Sequence, residues 1–507
     1  MPTSVIVFLV LYGSALFAIG IWGGRESRSV AGYYVAGKKL PAWVIAFSTN
    51  ATGESAWLLL GLTGMGYAVG MHALWVVLGE VLGVTLGWVL VALPFKEYTD
   101  RYGSITVPDY LEARFRDNRN VFRLIGLLVI FTMVIAYTAA QFTAMGKAFG
   151  SFAGTTYTAG VFIGAAFILF YTSVGGFKAV AYSDLLQGLL MFFGLLILPF
   201  VAFAAAGGWT AVMGRLQAQD PALLSPMGPL GLTVEGVISA LGFVAVGLAF
   251  LGAPQLLTRW ISARDRRDIV HGGPIAVVCI IVFDLGAVFG GIAGRALFPG
   301  LADPETILPV LSSALFPAIF MGIYLVIVLA ASMSTVDSLL ILVSSSVARD
   351  VIQKMFRPDL SDRRIALIGK LSTVVIGVAG LIFALGQVRV IFWFVLFAWS
   401  GLASAFTPVV LCSLFWKRTT RAGAITGMIV GFATAIVWVI AFKERFYDLY
   451  EMIPGFAAGF AATIGVSLFT RPPEGAPEEL EEVRRAVARR ASAHILQEGG
   501  HAPAITS

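Results

Sequence analysis

Residues 46–64 read Ala-Phe-Ser-Thr-Asn-Ala-Thr-Gly-Glu-Ser-Ala-Trp-Leu-Leu-Leu-Gly-Leu-Thr-Gly, an apolar run of membrane length cut by Ser48, Thr49, Asn50, Thr52, Gly53, Glu54 and Ser55. In hydrocarbon an unpaired backbone N–H or C=O is costly, so a helix opens at that depth only where protein, water or a bound solute satisfies the groups it frees. Asn, Gly and Ser are poor helix formers and ease such an opening. A carboxylate at the same level costs roughly 2.5 to 3.5 kcal/mol, so Glu54 must face a cavity or a partner. The chemistry that fits is the binding or passage of a small polar solute or ion. The competing explanation is a polar kink packed against neighbouring helices.

A second stretch is Val328-Leu-Ala-Ala-Ser-Met-Ser-Thr-Val-Asp-Ser-Leu-Leu340. On a helix Ala331, Ser334, Thr335 and Ser338 fall at i, i+3, i+4 and i+7, one face offering uncharged oxygens. A hard monovalent cation prefers such oxygens, although small residues also let two membrane helices approach closely. Asp337, one turn from Ser334, favours the cation, because a buried carboxylate there must neutralise one or carry a proton. Its companion is Asp184, which follows Tyr171-Thr-Ser-Val-Gly-Gly-Phe-Lys-Ala-Val-Ala-Tyr-Ser183 and also reads as an ordinary acid at a helix start. Glu80 and Asp284 are further intramembrane carboxylates, with no oxygen-rich stripe around them. A third stretch, Ala245-Val-Gly-Leu-Ala-Phe-Leu-Gly-Ala-Pro254, can bend or open a helix at Gly247, Gly252 and Pro254. Its span begins the second set of five spans as residues 42–69 begin the first, and paired interruptions point to a binding site at the membrane midplane, the competing explanation being an ordinary Pro kink near the cytoplasmic end.

The elements that must carry these residues follow from composition. Of 507 residues 58% are hydrophobic and 13% charged, which excludes a soluble globular chain and gives an all-α polytopic membrane protein. About thirteen transmembrane helices can be placed between residues 4 and 470. Residues 1–470 form the membrane domain, and 471–507 a cytoplasmic tail, a solvated helix fading into a disordered end. The net charge of +6 does not indicate nucleic acid, because the basic residues sort by loop. Alternate loops hold 29 of the 35, among them Arg28, Arg114, Arg123, Lys178, Arg259 and Arg349. The opposite loops keep Lys147, Arg215, Arg295, Arg389, Lys443 and Arg445. The positive-inside rule then places the C-terminus in the cytoplasm and the N-terminus outside, in a cell membrane.

Cys279 and Cys412 lie in apolar runs, and His72, His271, His494 and His501 are scattered, so neither a disulfide framework nor a metal-ligand spacing is present. No phosphate loop, zincin helix or Ser/His/Asp arrangement supports an enzyme. The Gly- and Pro-rich loop 207–234 reads as a lid or a simple connection.

Four stretches, Gly53–Gly64, Tyr171–Asp184, Ala331–Thr335 and Ser413–Gly427, resemble the sodium/solute symporter family, most closely its sodium/proline branch. The resemblance implies an inverted-repeat fold of the leucine-transporter type, two five-helix units behind an extra first helix, and alternating access driven by Na⁺, the coupling ion. It implies a sodium site from the carbonyls of Ala51, Glu54 and Ala331 with the hydroxyls of Ser334 and Thr335. A second cation site of some relatives maps onto Asp184, Ser334, Asp337 and Ser338, with Asp337 in place of a hydroxyl residue; sodium, a proton or nothing could occupy it. Ser55, Trp57, Gly61, Tyr137 and Pro254 match positions lining a proline pocket. Gly53 stands where that branch has Asp, and Val246 and Phe250 where it has Trp and Tyr, with Glu54 expected to restore a negative charge nearby. The expected solute is proline or a related small neutral amino or organic acid, with no obligate protein partner. A proton-coupled carrier using Glu54 or Asp337 is the alternative, and a transporter-like solute sensor a more distant one.

Overall fold

The computed structural model describes residues 3–25, 27, 29–386 and 391–498; Arg28, Arg389, His501 and the rest of the expected disordered end, 499–507, lie outside them. Because the bilayer offers no partner to backbone N–H and C=O groups, apolar segments pair them internally as helices. In chain order these are α1 (Thr3–Gly24), α2 (Ala42–Ala56), α3 (Leu74–Leu86), α4 (Val107–Phe115), α5 (Val121–Ala153), α6 (Tyr157–Ala205) and α7 (Val234–Ala245). They continue with α8 (Pro254–Ser262), α9 (Arg266–Leu297), α10 (Ala318–Ser345), α11 (Asp362–Ala384), α12 (Ile391–Phe415), α13 (Arg421–Val437), α14 (Met452–Phe469) and the tail helix α15 (Ala476–Glu498). Short helical turns link some of these.

Among the described residues, eleven continuous helical stretches are long and apolar enough to cross a membrane. Two of them, Ala42–Arg101 and Tyr157–Ala205, run to 60 and 49 residues, against about 20 for one crossing. Both are broken by a glycine at positive φ, Gly70 (+60°) in the first and Gly176 (+64°) in the second. The expectation of about thirteen crossings requires each to cross twice, which these lengths allow.

Helices α10 and α12 run through the centre of the bundle, whereas α1, α13 and α14 form much of its rim. α10 packs on α1, α2, α5 and α6, so its oxygen-bearing face meets the interrupted helix α2. A parallel bridge pairs Leu40 with Ala263, so the start of α2 is tied to the end of α8. The 207–234 connection is pinned and partly helical (Trp209–Gln219): the Pro226 carbonyl receives the Trp75 indole N–H at 2.8 Å and meets His72 Nδ1 at 2.8 Å.

Candidate functional site

Both sequence interruptions are breaks in helices. At Ser55, φ is +59° and ψ −171°, a conformation that costs a non-glycine residue about 1–3 kcal/mol. The freed groups are satisfied locally: Trp57 N–H bonds to Ser55 Oγ at 3.1 Å and to the Glu54 carbonyl, and Ala56 N–H bonds to Gln141 Oε1 at 3.1 Å. A π-helical turn, Trp57–Leu62, follows. In the second interruption α7 passes into a 3₁₀ turn, Val246–Leu251, before Pro254 opens α8. The Val246 carbonyl accepts the Trp399 indole N–H at 3.1 Å.

The α10 stripe closes on the first break. Ser334 Oγ donates to the Ala51 carbonyl at 2.8 Å and the Ala331 carbonyl at 3.0 Å, and Thr335 Oγ1 to the Thr52 carbonyl at 3.1 Å. All of these residues are fully buried. Hydroxyl and carbonyl oxygens without charge, gathered between a broken and an intact helix, are the donor set a desolvated Na⁺ needs. The structure therefore brings Ala51, Ala331, Ser334 and Thr335 together, with the Glu54 carbonyl already accepting Trp57 N–H. Thr52, whose carbonyl joins this group, was not a sequence candidate for it.

The Asp184 region departs from expectation. Arg259, counted above among loop charges, is buried on α8, and its guanidinium is bonded to Asp184 and Ser338, two of the four residues onto which a second cation site maps. Its Nη2 donates to Asp184 Oδ2 at 3.0 Å, to Thr52 Oγ1 at 2.6 Å and, in a short contact, to Ser338 Oγ. Nε reaches Ser48 Oγ at 3.1 Å and Nη1 the Gln255 carbonyl at 2.7 Å. A side chain thus supplies the positive charge that Asp184 requires, because a buried carboxylate is tolerated only when paired. Asp337 lies beside this group, accepting from the Tyr171 hydroxyl at 2.6 Å and Ser338 Oγ at 3.2 Å.

Aromatic rings fill the space between the two breaks. Trp57 stacks on Phe392 with ring centroids 5.4 Å apart, and Trp399 meets Phe250 at 5.4 Å and Tyr137 at 6.5 Å, both edge-on. Gly61 backs onto Phe392 and Trp57. A Cβ on Gly53 would lie 2.8 Å from the Phe250 ring, so two of the three departures from the proline pattern are one packed pair. The Tyr137 hydroxyl, the Trp57 indole N–H and both polar atoms of the Gln255 amide are buried without a hydrogen-bond partner. Such orphaned groups mark where a polar solute or water is accommodated. Gln255, Gln141 and Trp399 gave no sequence signal, since nothing local distinguishes them from core residues.

Glu54 does not restore a charge next to Gly53. Neighbouring residues on a helix diverge by about 100°, and the Glu54 carboxylate lies with those of Glu80 and Asp284, with ligand oxygens within 4.8 Å of one another. A cavity of about 300 Å³, lined in part by Glu235, Phe243, Trp393 and Tyr450, opens at the end carrying the weakly basic loops. Its Phe243 meets Phe392, the ring that covers Trp57. Toward the strongly basic end a cavity of about 10 Å³ lies beside Arg259, Ser338, Tyr34 and Phe177. That end holds a buried network in which Arg123 binds Asp109 at 2.7 Å, Asp350 at 2.6 Å and Glu112. Burial raises the Asp109 pKa, but the guanidiniums of Arg123 and Arg349 outweigh it and hold the carboxyl below its ordinary value.

A model of the sodium:solute symporter family matches residues 33–431. The chain is 36% identical to the high-affinity proline transporter PutP of Bacillus subtilis over 466 residues, covering 91% of this chain and 97% of that protein. It is 32% identical to a sodium/proline symporter of Staphylococcus aureus, covering 95% and 96%. Its fold matches that of a Na⁺-coupled sialic acid symporter solved in a substrate-bound, outward-open state, with a TM-score of 0.78, 18% identity and coverage of 92% and 98%.

Proposed function

From its place in the sodium:solute symporter family, to which this chain belongs, we propose that it imports proline or a related small neutral amino or organic acid together with Na⁺ across the cell membrane, by alternating access. The observation that carries this reading is the meeting of Ser334 and Thr335 with the carbonyls of Ala51, Thr52 and Ala331 at the break in α2. Sodium bound there holds α10 against the last helical turn of α2 before its break at Ser55, and Ser55 and Trp57 border the solute space. Ion binding and solute binding thus share one broken stretch of backbone, which is what coupling requires. Trp57, Gly61, Tyr137, Val246, Phe250 and Pro254 shape the solute pocket, and the orphaned hydroxyl, indole and amide groups give the solute its polar contacts.

The basic-loop bias supports a cytoplasmic C-terminus and an outer N-terminus. On that orientation the larger cavity lies outside and the tight end at Arg259 inside, an arrangement suited to capturing solute from the exterior.

The test is uptake of labelled proline by liposomes containing the purified protein, under an inward sodium gradient, a proton gradient, or neither. Uptake on sodium alone is expected. In the Ser334→Ala, Thr335→Ala double variant, folded protein should lose that sodium dependence. Wild-type uptake driven by the proton gradient alone would replace sodium with proton coupling, and sodium-dependent uptake retained by the double variant would remove these hydroxyls from the ion site.

A further inference from the structure

Away from the Ser334–Thr335 group, three carboxylates from three helices converge: Glu54 on α2, Glu80 on α3 and Asp284 on α9, with ligand oxygens within 4.8 Å of one another. All three are buried, at most 3% exposed. Both oxygens of Glu54, both of Asp284 and one of Glu80 have no hydrogen-bond partner. On a fourth helix, α5, the Tyr137 hydroxyl is fully buried as well, within electrostatic reach of Glu54 and Glu80 and beside Ser55.

Unpaired carboxylates cannot share a low-dielectric interior as neighbouring anions, because each costs desolvation and repels the others. The buried charge at Asp184 is met by Arg259; these three have no such partner. Two oxygens on one ion can be no farther apart than twice the metal–oxygen distance, about 4.6 to 5.2 Å for a calcium-sized cation. The 4.8 Å spread meets that limit.

We propose that Glu54, Glu80 and Asp284 form a second cation-binding site, distinct from the Ser334–Thr335 group, for a hard, oxygen-seeking cation of sodium or calcium size. The site lies one residue from the strained Ser55, so its occupancy bears on the same backbone that borders the solute space. Its three carboxylates come from three different helices, so cation binding also clamps α2, α3 and α9 to one another.

Equilibrium binding of radiolabelled Na⁺ and, separately, Ca²⁺ to the purified full chain in lipid nanodiscs tests this without any transport step. The Ser334→Ala, Thr335→Ala variant should retain about one bound cation per chain, and adding Glu80→Gln with Asp284→Asn should abolish it. Retention of Na⁺ or of Ca²⁺ identifies which ion the site takes. The amide variants remove repulsion and should fold; their thermal midpoint in ion-free buffer checks this, and in the Ser334→Ala, Thr335→Ala background the added ion should raise the midpoint only while the carboxylates are present. Neither ion bound in that background, or binding unchanged by the amides, overturns the proposal. Sodium-driven proline uptake by the wild type alongside either of those results leaves the proposed function standing and removes this site alone. A carboxylate-dependent bound ion without such uptake does the reverse.

Discussion

Replacing Arg259 with Met keeps an unbranched apolar stem and deletes the charged guanidinium, and the structure sets the size of the effect. The guanidinium reaches Asp184, Thr52, Ser338, Ser48 and the Gln255 carbonyl from a side chain 1% exposed, facing a carboxylate 0% exposed. Breaking a buried pair by removing one partner costs about 3–5 kcal/mol, most of it the stranded charge on the other. Arg259→Met alone should therefore destabilise the protein strongly in sodium-free buffer, whereas Arg259→Met with Asp184→Asn, which leaves no charge stranded at position 184, should recover most of the loss. If the guanidinium stands in for a cation, the single variant should also gain more from added sodium than the wild type does. An ion at one hundred times its Kd contributes about 2.7 kcal/mol. The assay is unfolding of the purified protein in detergent, in matched sodium and choline buffers, for the wild type, both single variants and the double. Equal losses in Arg259→Met and in the double variant would refute the charge argument. Wild-type stability in Arg259→Met would refute the pairing itself.

Gly53→Ala places a methyl against the Phe250 ring, so proline KM should rise with an overpacking cost of about 1–3 kcal/mol; Phe250→Leu in the same chain should restore it, as saturation curves in proteoliposomes would report. Asp109, held below its ordinary pKa, contributes stability that is fully present above the unfolded aspartate value of about 3.9 and is lost as pH falls through the lowered native value. Asp109→Asn should accordingly flatten the acid limb of a stability-versus-pH curve measured by thermal unfolding, and an unchanged limb would remove Asp109 from the network's role.

The sequence alone determined whatever is written in local pattern. Apolar runs of membrane length specify helices because the bilayer leaves no other way to satisfy the backbone. The polar cut at 48–55 marks a broken helix because such residues are costly in an intact lipid-facing one, and Ala331, Ser334 and Thr335 share a face because a helix repeats every 3.6 residues. Tertiary structure decided what depends on residues far apart in the chain. Arg259 sits close to the basic cluster Arg264–Arg267 and reads as a loop charge; only the packing of α8 against α2 and α10 carries it to Asp184, 75 residues away. Glu80 and Asp284 looked isolated because each has an apolar local sequence, and they meet Glu54 only when α3 and α9 close on α2. Gly53 and Phe250 are separate substitutions on paper and one contact in the fold, because the size allowed at either position is set by the other. Hydrophobicity and periodicity act between near neighbours and can be read along the chain, whereas charge pairing and steric fit act across the interior and exist only once the helices are packed.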